Sequence, residues 1–250
     1  RRAAILYPQN GYGIDFMTLF WSEFVRRGGE IRGAESYDPE TSDFNAPIKR
    51  LIGLSPLELR VGEICSEEEM NKRAKDFYQT RPRCYPPDKL PPIVDFEAIF
   101  LPDGFEKVTE IVPALAFYDA HGVQVLGSNL LNTQEIFRAR GGESMQGAIF
   151  LDSFFKNRKD PVVSQFVQRF YSTYGSEPGS LEVQAYDTAS ILLDVITRSR
   201  PSSRSAFAQA LSSVRGFPAV SGETSFAPGR DARQKLTVLT VDGDQIVELN

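Results

Sequence analysis

The chain opens on five consecutive apolar residues, Ala3, Ala4, Ile5, Leu6 and Tyr7, closed by Pro8. A run this short, without polar alternation, predicts a strand covered on both faces, as in a parallel sheet. After the polar, glycine-bearing stretch Gln9-Asn10-Gly11-Tyr12-Gly13, apolar residues return at Phe16, Met17, Leu19, Phe20, Phe24 and Val25. That spacing is helical, and Gly28-Gly29 ends it. Strand, turn and helix together predict the first unit of a parallel α/β domain. Open α/β sheets gather ligands beyond the carboxyl ends of their strands, and Tyr12 is displayed on the turn there.

The alternation continues. Residues 30–37 predict a second strand, and Phe44, Ile48, Leu51 and Ile52 mark a short helix. Residues 53–95 then interrupt the pattern. Within them Ser66, followed by Glu67, Glu68 and Glu69, predicts a helix start with acids favoured by the helix dipole. Pro82, Pro86, Pro87, Pro91 and Pro92 then forbid regular structure, so the segment reads as a surface insertion. The core resumes with a strand at 97–101 that ends in Pro102-Asp103-Gly104. A helix follows through Val108, Ile111, Val112, Leu115 and Ala116, with Pro113 implying a kink or a late start, and it stops at His121-Gly122. A strand at 123–126 opens onto Gly127-Ser128-Asn129, a third turn on the ligand-facing edge.

From Gly147 the texture changes. A strand at 147–151 runs into Asp152, Ser153, Phe154 and Phe155, and three helices follow. The first has Asp160 as N-cap, Pro161 at its first position and a stripe of Val162, Val163, Phe166, Val167, Phe170, Tyr171 and Tyr174. The others cover about 181–198 and 203–215. Three helices in succession break the βα rhythm and predict another layer or lobe. The chain ends in strands at 223–226, 235–241 and 245–249, with a hairpin signal at Asp242-Gly243. The fold class is therefore α/β, a Rossmann-like parallel sheet flanked by helices.

With 41% hydrophobic and 24% charged residues, the composition is that of a soluble globular chain. Its 28 basic residues are outnumbered by 33 acidic ones and scattered, which leaves no nucleic-acid footprint. No apolar run approaches the roughly 18 residues that span a bilayer. No leader precedes the first strand, so a targeting signal is expected to have been removed or not included. A single histidine, His121, limits both a serine triad and a dihistidine metal site; next to Gly122 it reads as a helix C-terminal residue. The glycines at 11 and 13 lack the third of a dinucleotide fingerprint, and no phosphate-binding loop motif exists. Glu67 to Glu69 read as a solvated helix start, and Asp242 with Asp244 lacks the other oxygens of a calcium loop. No cofactor and no enzymatic activity are predicted. Cys65 and Cys84 lie in the irregular segment. Joined, they would close a loop of about 20 residues, with roughly 3 kcal/mol from chain entropy; unjoined, they would be two thiols of a cytosolic protein. A structural zinc site wants about four Cys or His ligands, and His121 is the only histidine to add to the two cysteines, so no zinc is expected.

The order of elements resembles the second half of the type I periplasmic binding proteins, the family of leucine/isoleucine/valine-binding proteins. The resemblance rests on AILYPQNGYGIDF, FEAIFLPD, VQVLGSN, QGAIFLDSFF, FVQRFYSTYGSEPGSLEVQAYDTASILL and VSGETSFAPGRDARQKLTVLTVDGDQIVEL, in the family's order over nearly the whole chain. The proline-rich insertion looks more like a bacterial subgroup grouped with lipoprotein activators of penicillin-binding proteins. The resemblance implies that residues 1–148 and 218–250 build the second lobe, with 53–95 as an insertion, and that 149–217 belong to a first lobe whose strands are absent from this chain. It implies an extracytoplasmic or periplasmic solute-binding receptor, lipid-anchored in the lipoprotein subgroup, that hands a small polar, amino-acid-like ligand to an ABC permease or senses it. The alternative is a ligand-free module of the same fold that regulates a cell-wall synthase. An oxidising compartment would join Cys65 to Cys84.

Carried over by position, the family's second-lobe ligand contacts fall on Tyr12, on Asp103, Gly104 and Phe105, and on Asn129. Several transport members have an acid where this chain has Asn129, so recognition of an amino group would shift to Asp103 or to the other lobe. Phe154 and Phe155 are expected where the chain crosses between lobes, with Tyr186 and Asp187 on the following helix. These four either wall the cleft or serve packing and capping, the simpler reading.

Overall fold

The computed structural model describes residues 1–73, 84–226 and 232–249. Pro82 of the expected insertion and the 227–231 part of the last motif lie outside the described residues. Two compact units emerge, Arg1–Ala148 and Ile149–Asn250.

In the first unit β1 (Arg2–Pro8), α1 (Gly11–Arg26), β2 (Glu30–Tyr37), α2 (Asn45–Leu51), α3 (Glu67–Arg73), β3 (Ala98–Leu101), α4 (Phe105–Phe117) and β4 (Gln124–Gly127) follow in order. The strands lie side by side as β4-β3-β1-β2, all parallel. Ala3 to Leu6, Ile99 and Leu101 are fully buried, as unbroken apolar strands require when helices cover both faces. On α1 the buried line is narrower than its spacing predicts. Gly13 is buried and Phe20 stacks on Phe100 of β3 at 4.3 Å, whereas Leu19 and Val25 are 64% and 48% exposed. The stripe fans over more of the helix than the sheet beneath it covers.

The 53–95 segment leaves this sheet and returns to it beside its own start. Ile93 N–H donates to the Ile52 carbonyl at 2.8 Å. The Arg60 guanidinium, 8% exposed, donates to the carbonyls of Gly53 (3.0 Å) and Pro91 (2.8 Å) and pairs with Glu63. Farther out Cys65 and Cys84 form a disulfide with Cα atoms 4.9 Å apart. Ser66 caps α3 as its sequence predicts, its Oγ accepting from Glu69 N–H. Beyond β4 the chain makes three short 3-10 turns, Asn129–Leu131, Gln134–Phe137 and Gly142–Met145, which the hydrophobic pattern did not signal.

The second unit holds β5 (Ile149–Asp152), α5 (Pro161–Tyr174), α6 (Ser180–Ser199), α7 (Arg204–Ser212), β6 (Phe217–Ala219), β7 (Gly222–Phe226), β8 (Ala232–Gln234), β9 (Thr237–Asp242) and β10 (Gln245–Glu248). Strand β9 pairs antiparallel with both β5 and β10, while β6, β7 and β8 form an antiparallel sheet of their own. The N-cap expected at Asp160 is present, its carboxylate accepting from Val162 N–H at 2.8 Å. The β9–β10 hairpin turns at Gly243, whose φ of 61° suits a residue without a side chain. Phe154, Val163, Phe166, Val183 and Val220 form the unit's buried cluster.

Candidate functional site

The strand order places four chain segments along the carboxyl edge of the parallel sheet: Ser128 after β4, Asp103 after β3, Asn10 to Tyr12 after β1, and Tyr37 at the end of β2. Tyr12 is not on a loop, as the glycine-bearing turn suggested. Asn10 caps α1, its Oδ1 accepting from Gly13 N–H at 2.8 Å, and Tyr12 stands in the first helical turn. The Tyr12 hydroxyl donates to Ser128 Oγ at 2.8 Å, bypassing β3. The Tyr37 hydroxyl donates to Asp103 Oδ2 at 2.6 Å, bypassing β1. Asp103 Oδ1 accepts from Gly104 N–H at 2.7 Å, where Gly104 is the N-cap of α4. Two hydrogen bonds, each skipping one strand, thus interlock all four strand ends.

Both tyrosines remain protonated donors at neutral pH. Burial pushes the Tyr12 phenol above its ordinary value, the bond to Ser128 lowers it in part, and the charge of Asp103 raises it again. Tyr37 is driven far upward, first by burial, then by its hydrogen bond to Asp103 and by that carboxylate's charge. The Tyr12 ring packs on Phe16 at 4.4 Å, and Tyr37 meets Phe44 edge-on at 5.1 Å. Ser128 is buried; Asn129, the next residue, is exposed and opens a 3-10 turn. Phe105 borders a separate groove of about 540 Å³, shared with Thr109, Pro113, Ala139 and Gly141 beside α4. The structure therefore places Tyr12 and the Asp103–Gly104 turn in two separate hydrogen-bonded clasps along one sheet edge and leaves Phe105 on their flank. Tyr37 and Ser128 were missed by sequence reasoning. Tyr37 read only as a strand residue, and Ser128 lay in the right turn beside the residue singled out there. His121 precedes β4, at the opposite, amino edge of the strands, and its ring is 3.5 Å from Asp119.

In the second unit Phe154 and Phe155 are 4% and 7% exposed, and Phe154 belongs to the buried cluster. Asp187 is 3% exposed and accepts from Val220 N–H (2.8 Å), Ser221 N–H (2.9 Å) and Ser221 Oγ–H (2.6 Å). Tyr186 packs against Phe166 at 4.7 Å and lines a groove of about 440 Å³ with Phe170, Tyr174 and Phe217. Packing and capping account for Phe154 and Asp187. Among the described residues no group of three or more His, Cys, Asp or Glu is placed to hold a metal ion, and no helix is long and apolar enough to cross a membrane.

A family model described as periplasmic binding protein matches residues 1–245. The chain belongs to the periplasmic binding protein family. The resemblance carried by the six sequence motifs is thereby established, together with the α/β fold. Among solved structures, a protein from Rhodospirillum rubrum described as a branched-chain amino acid ABC transporter is similar to 99% of this chain and 60% of its own, at 22% identity and a TM-score of 0.75. The branched-chain amino acid transporter substrate-binding protein LivJ of Streptococcus pneumoniae, in complex with isoleucine, matches at 16% identity and a TM-score of 0.61, over 99% of this chain and 60% of its own. An ABC transporter solute-binding protein from R. palustris, in complex with benzoate, matches at 12% identity and 0.65, over all of this chain and 57% of its own. The chain thus spans about 60% of the length of the structures it resembles. No curated protein sequence matches it.

Proposed function

We propose that the protein is an extracytoplasmic solute-binding receptor. It captures a small polar, amino-acid-like ligand at the carboxyl edge of the parallel sheet, for import through an ABC permease or for sensing. The observation that carries this reading is the interlocked strand edge. Tyr12 and Asp103 are held by Ser128 and Tyr37 at the place where open α/β sheets take their ligands. A ring fixed at one end by its hydroxyl offers an apolar face, and a carboxylate fixed by two donors offers charge without rearrangement. Asn129 beside them adds an exposed amide. The isoleucine and benzoate complexes of the similar structures indicate the size of solute to try first. In this reading residues 1–148 and 218–250 form the second lobe, 149–217 belong to the first, and closure of the lobes encloses the solute.

The test is titration calorimetry of the full-length protein against amino acids, amides, aromatic carboxylates and cell-wall fragments. Tyr12→Ala and Asn129→Ala should each weaken binding by about 1–3 kcal/mol, as for a lost stacked ring or a lost buried hydrogen-bonding partner. His121→Ala, at the far edge of the sheet, should leave affinity unchanged. Equal losses from His121→Ala and Tyr12→Ala, or no loss from either cleft variant, would sink the site. No binding of any solute would favour a ligand-free role in regulating cell-wall synthesis.

A further inference from the structure

We infer that Tyr37 is a positioning residue that fixes the Asp103 carboxylate to receive a cationic group of the ligand. The inference rests on the solute-binding reading and narrows it to ammonium-bearing solutes. A carboxylate oxygen has two acceptor sites. Asp103 uses one oxygen for the Tyr37 hydroxyl at 2.6 Å and the other for Gly104 N–H at 2.7 Å, which stops the group from rotating and leaves acceptor capacity on both. Its fixed partners are neutral. Among the described residues Asp103 forms no ion pair with Lys, Arg or His, although it is half-buried. The cation on the following helix α4, Lys107, is engaged elsewhere: its Nζ donates to the Thr41 carbonyl at 2.5 Å and lies 6.0 Å from the centre of the Phe44 ring. A half-buried carboxylate held by neutral donors is incomplete in charge, and a ligand cation completes it.

The remaining surroundings suit the same occupant. Tyr12 lies close enough to Asp103 for that charge to disfavour ionisation of its phenol. The tilted Tyr12–Phe16 ring pair, centroids 4.4 Å apart, supplies an aromatic face of the kind that attracts ammonium groups. Asn129, neutral and exposed, offers a carbonyl oxygen but no charge. The Tyr37 phenol is 4% exposed and cannot itself reach a solute; its part is to hold the acid.

The experiment uses matched probes on the full-length protein, by calorimetry and thermal shift. Each standard amino acid is paired with the amine and the carboxylate that share its side chain; for leucine these are isoamylamine and isocaproate. The wild type should bind the amino acid and the amine, with the carboxylate at least about tenfold weaker, as expected for a charge-assisted contact. Asp103→Asn should erase that preference. Tyr37→Phe removes one oxygen atom, and should cut the preference about fivefold while having no further effect on it in the Asp103→Asn background. A role confined to stability would lower the melting temperature and leave the ratio untouched, and that result would overturn the inference. Tight binding of carboxylates such as isocaproate or benzoate without their amines would overturn it while leaving solute binding intact. If no probe binds the wild type, the solute-binding reading falls and this inference falls with it.

Discussion

Replacing Asp187 by alanine should unfold more of this protein than any change at the exposed candidate site residues. The side chain on α6 is 3% exposed and gathers three donors from the turn between β6 and β7: Val220 N–H, Ser221 N–H and Ser221 Oγ–H, all within 2.9 Å. A hydrogen bond to a charged group is worth about 1.5–3 kcal/mol, and a buried donor left without a partner costs about 1–3 kcal/mol. Alanine orphans two backbone donors and one hydroxyl at once. The hydroxyl can turn away and the contributions are not additive, so the expected loss is about 3–5 kcal/mol. That is a large share of the roughly 5–15 kcal/mol that holds a domain folded. Asparagine is not a gentle substitute. Its oxygen can serve Val220 N–H, but its amide would face Ser221 N–H donor to donor, for a loss of about 2 kcal/mol. Ser221 Oγ already accepts from Gln234 Nε2 at 3.0 Å, which limits how far it can turn to receive that amide. Urea denaturation followed by far-UV circular dichroism measures both variants, with Ser221→Ala completing a double-mutant cycle. A loss under about 1 kcal/mol for Asp187→Ala, or a Ser221→Ala effect undiminished in its background, would refute the reasoning.

Three further outcomes are expected. Free-thiol titration of the unfolded, non-reduced protein should detect no thiol, and Cys65→Ser with Cys84→Ser should cost about 3 kcal/mol by the loop-closure estimate; two reactive thiols would remove the support for an oxidising compartment. The folded state keeps the phenolic protons of Tyr37 and Tyr12, which an unfolded chain releases near pH 10.0. Stability is therefore intact below that pH and falls above it, and Tyr37→Phe should flatten the alkaline slope of a melting-temperature profile; an unchanged slope would contradict it. The 250-residue chain should self-associate in light scattering, because α5 and α6 expose Tyr171, Tyr174, Leu193 and Ile196, and contiguous apolar patches beyond several hundred Å² are uncommon on monomers; a clean monomer with low dye binding would overturn the proposed assignment of residues 149–217 to a separate lobe.

The parts of the fold that were legible are those whose signals are local. Unbroken apolar runs at β1 and β3, the caps at Ser66 and Asp160 and the Asp-Gly hairpin each depend on residues within a few positions of one another. What stayed hidden depends on geometry. Strands β6 and β8 are three residues each and carry little period of their own. The narrow buried line of α1 is set by how much of the helix the neighbouring strands cover, which its spacing cannot express. The clasp at Arg60 pairs one side chain with carbonyls on both ends of a segment, and backbone acceptors leave no mark in a sequence.

The candidate site shows the same division more sharply. Tyr12, Asp103 and Asn129 could be named because each follows a strand, and a strand's carboxyl end is marked by where its apolar run stops. Their partners could not, because which strand ends are neighbours is decided by sheet order. Tyr12 reaches Ser128, and Asp103 reaches Tyr37, only because the order is β4-β3-β1-β2, so that each bond spans one intervening strand. One local residue does prepare the arrangement. A methyl group on Gly13 would sit 2.1 Å from the Pro8 carbonyl oxygen, well inside contact distance. The bare Gly13 lets the first turn of α1 settle against the end of β1, and that same turn aims the Tyr12 hydroxyl at Ser128. Even a single methyl there would have to push the helix start away from the strand. Gly13, which looked like part of a broken nucleotide motif, is thus better explained by the approach of α1 to β1, whereas a methyl group on Gly11 would meet no atom within 4 Å.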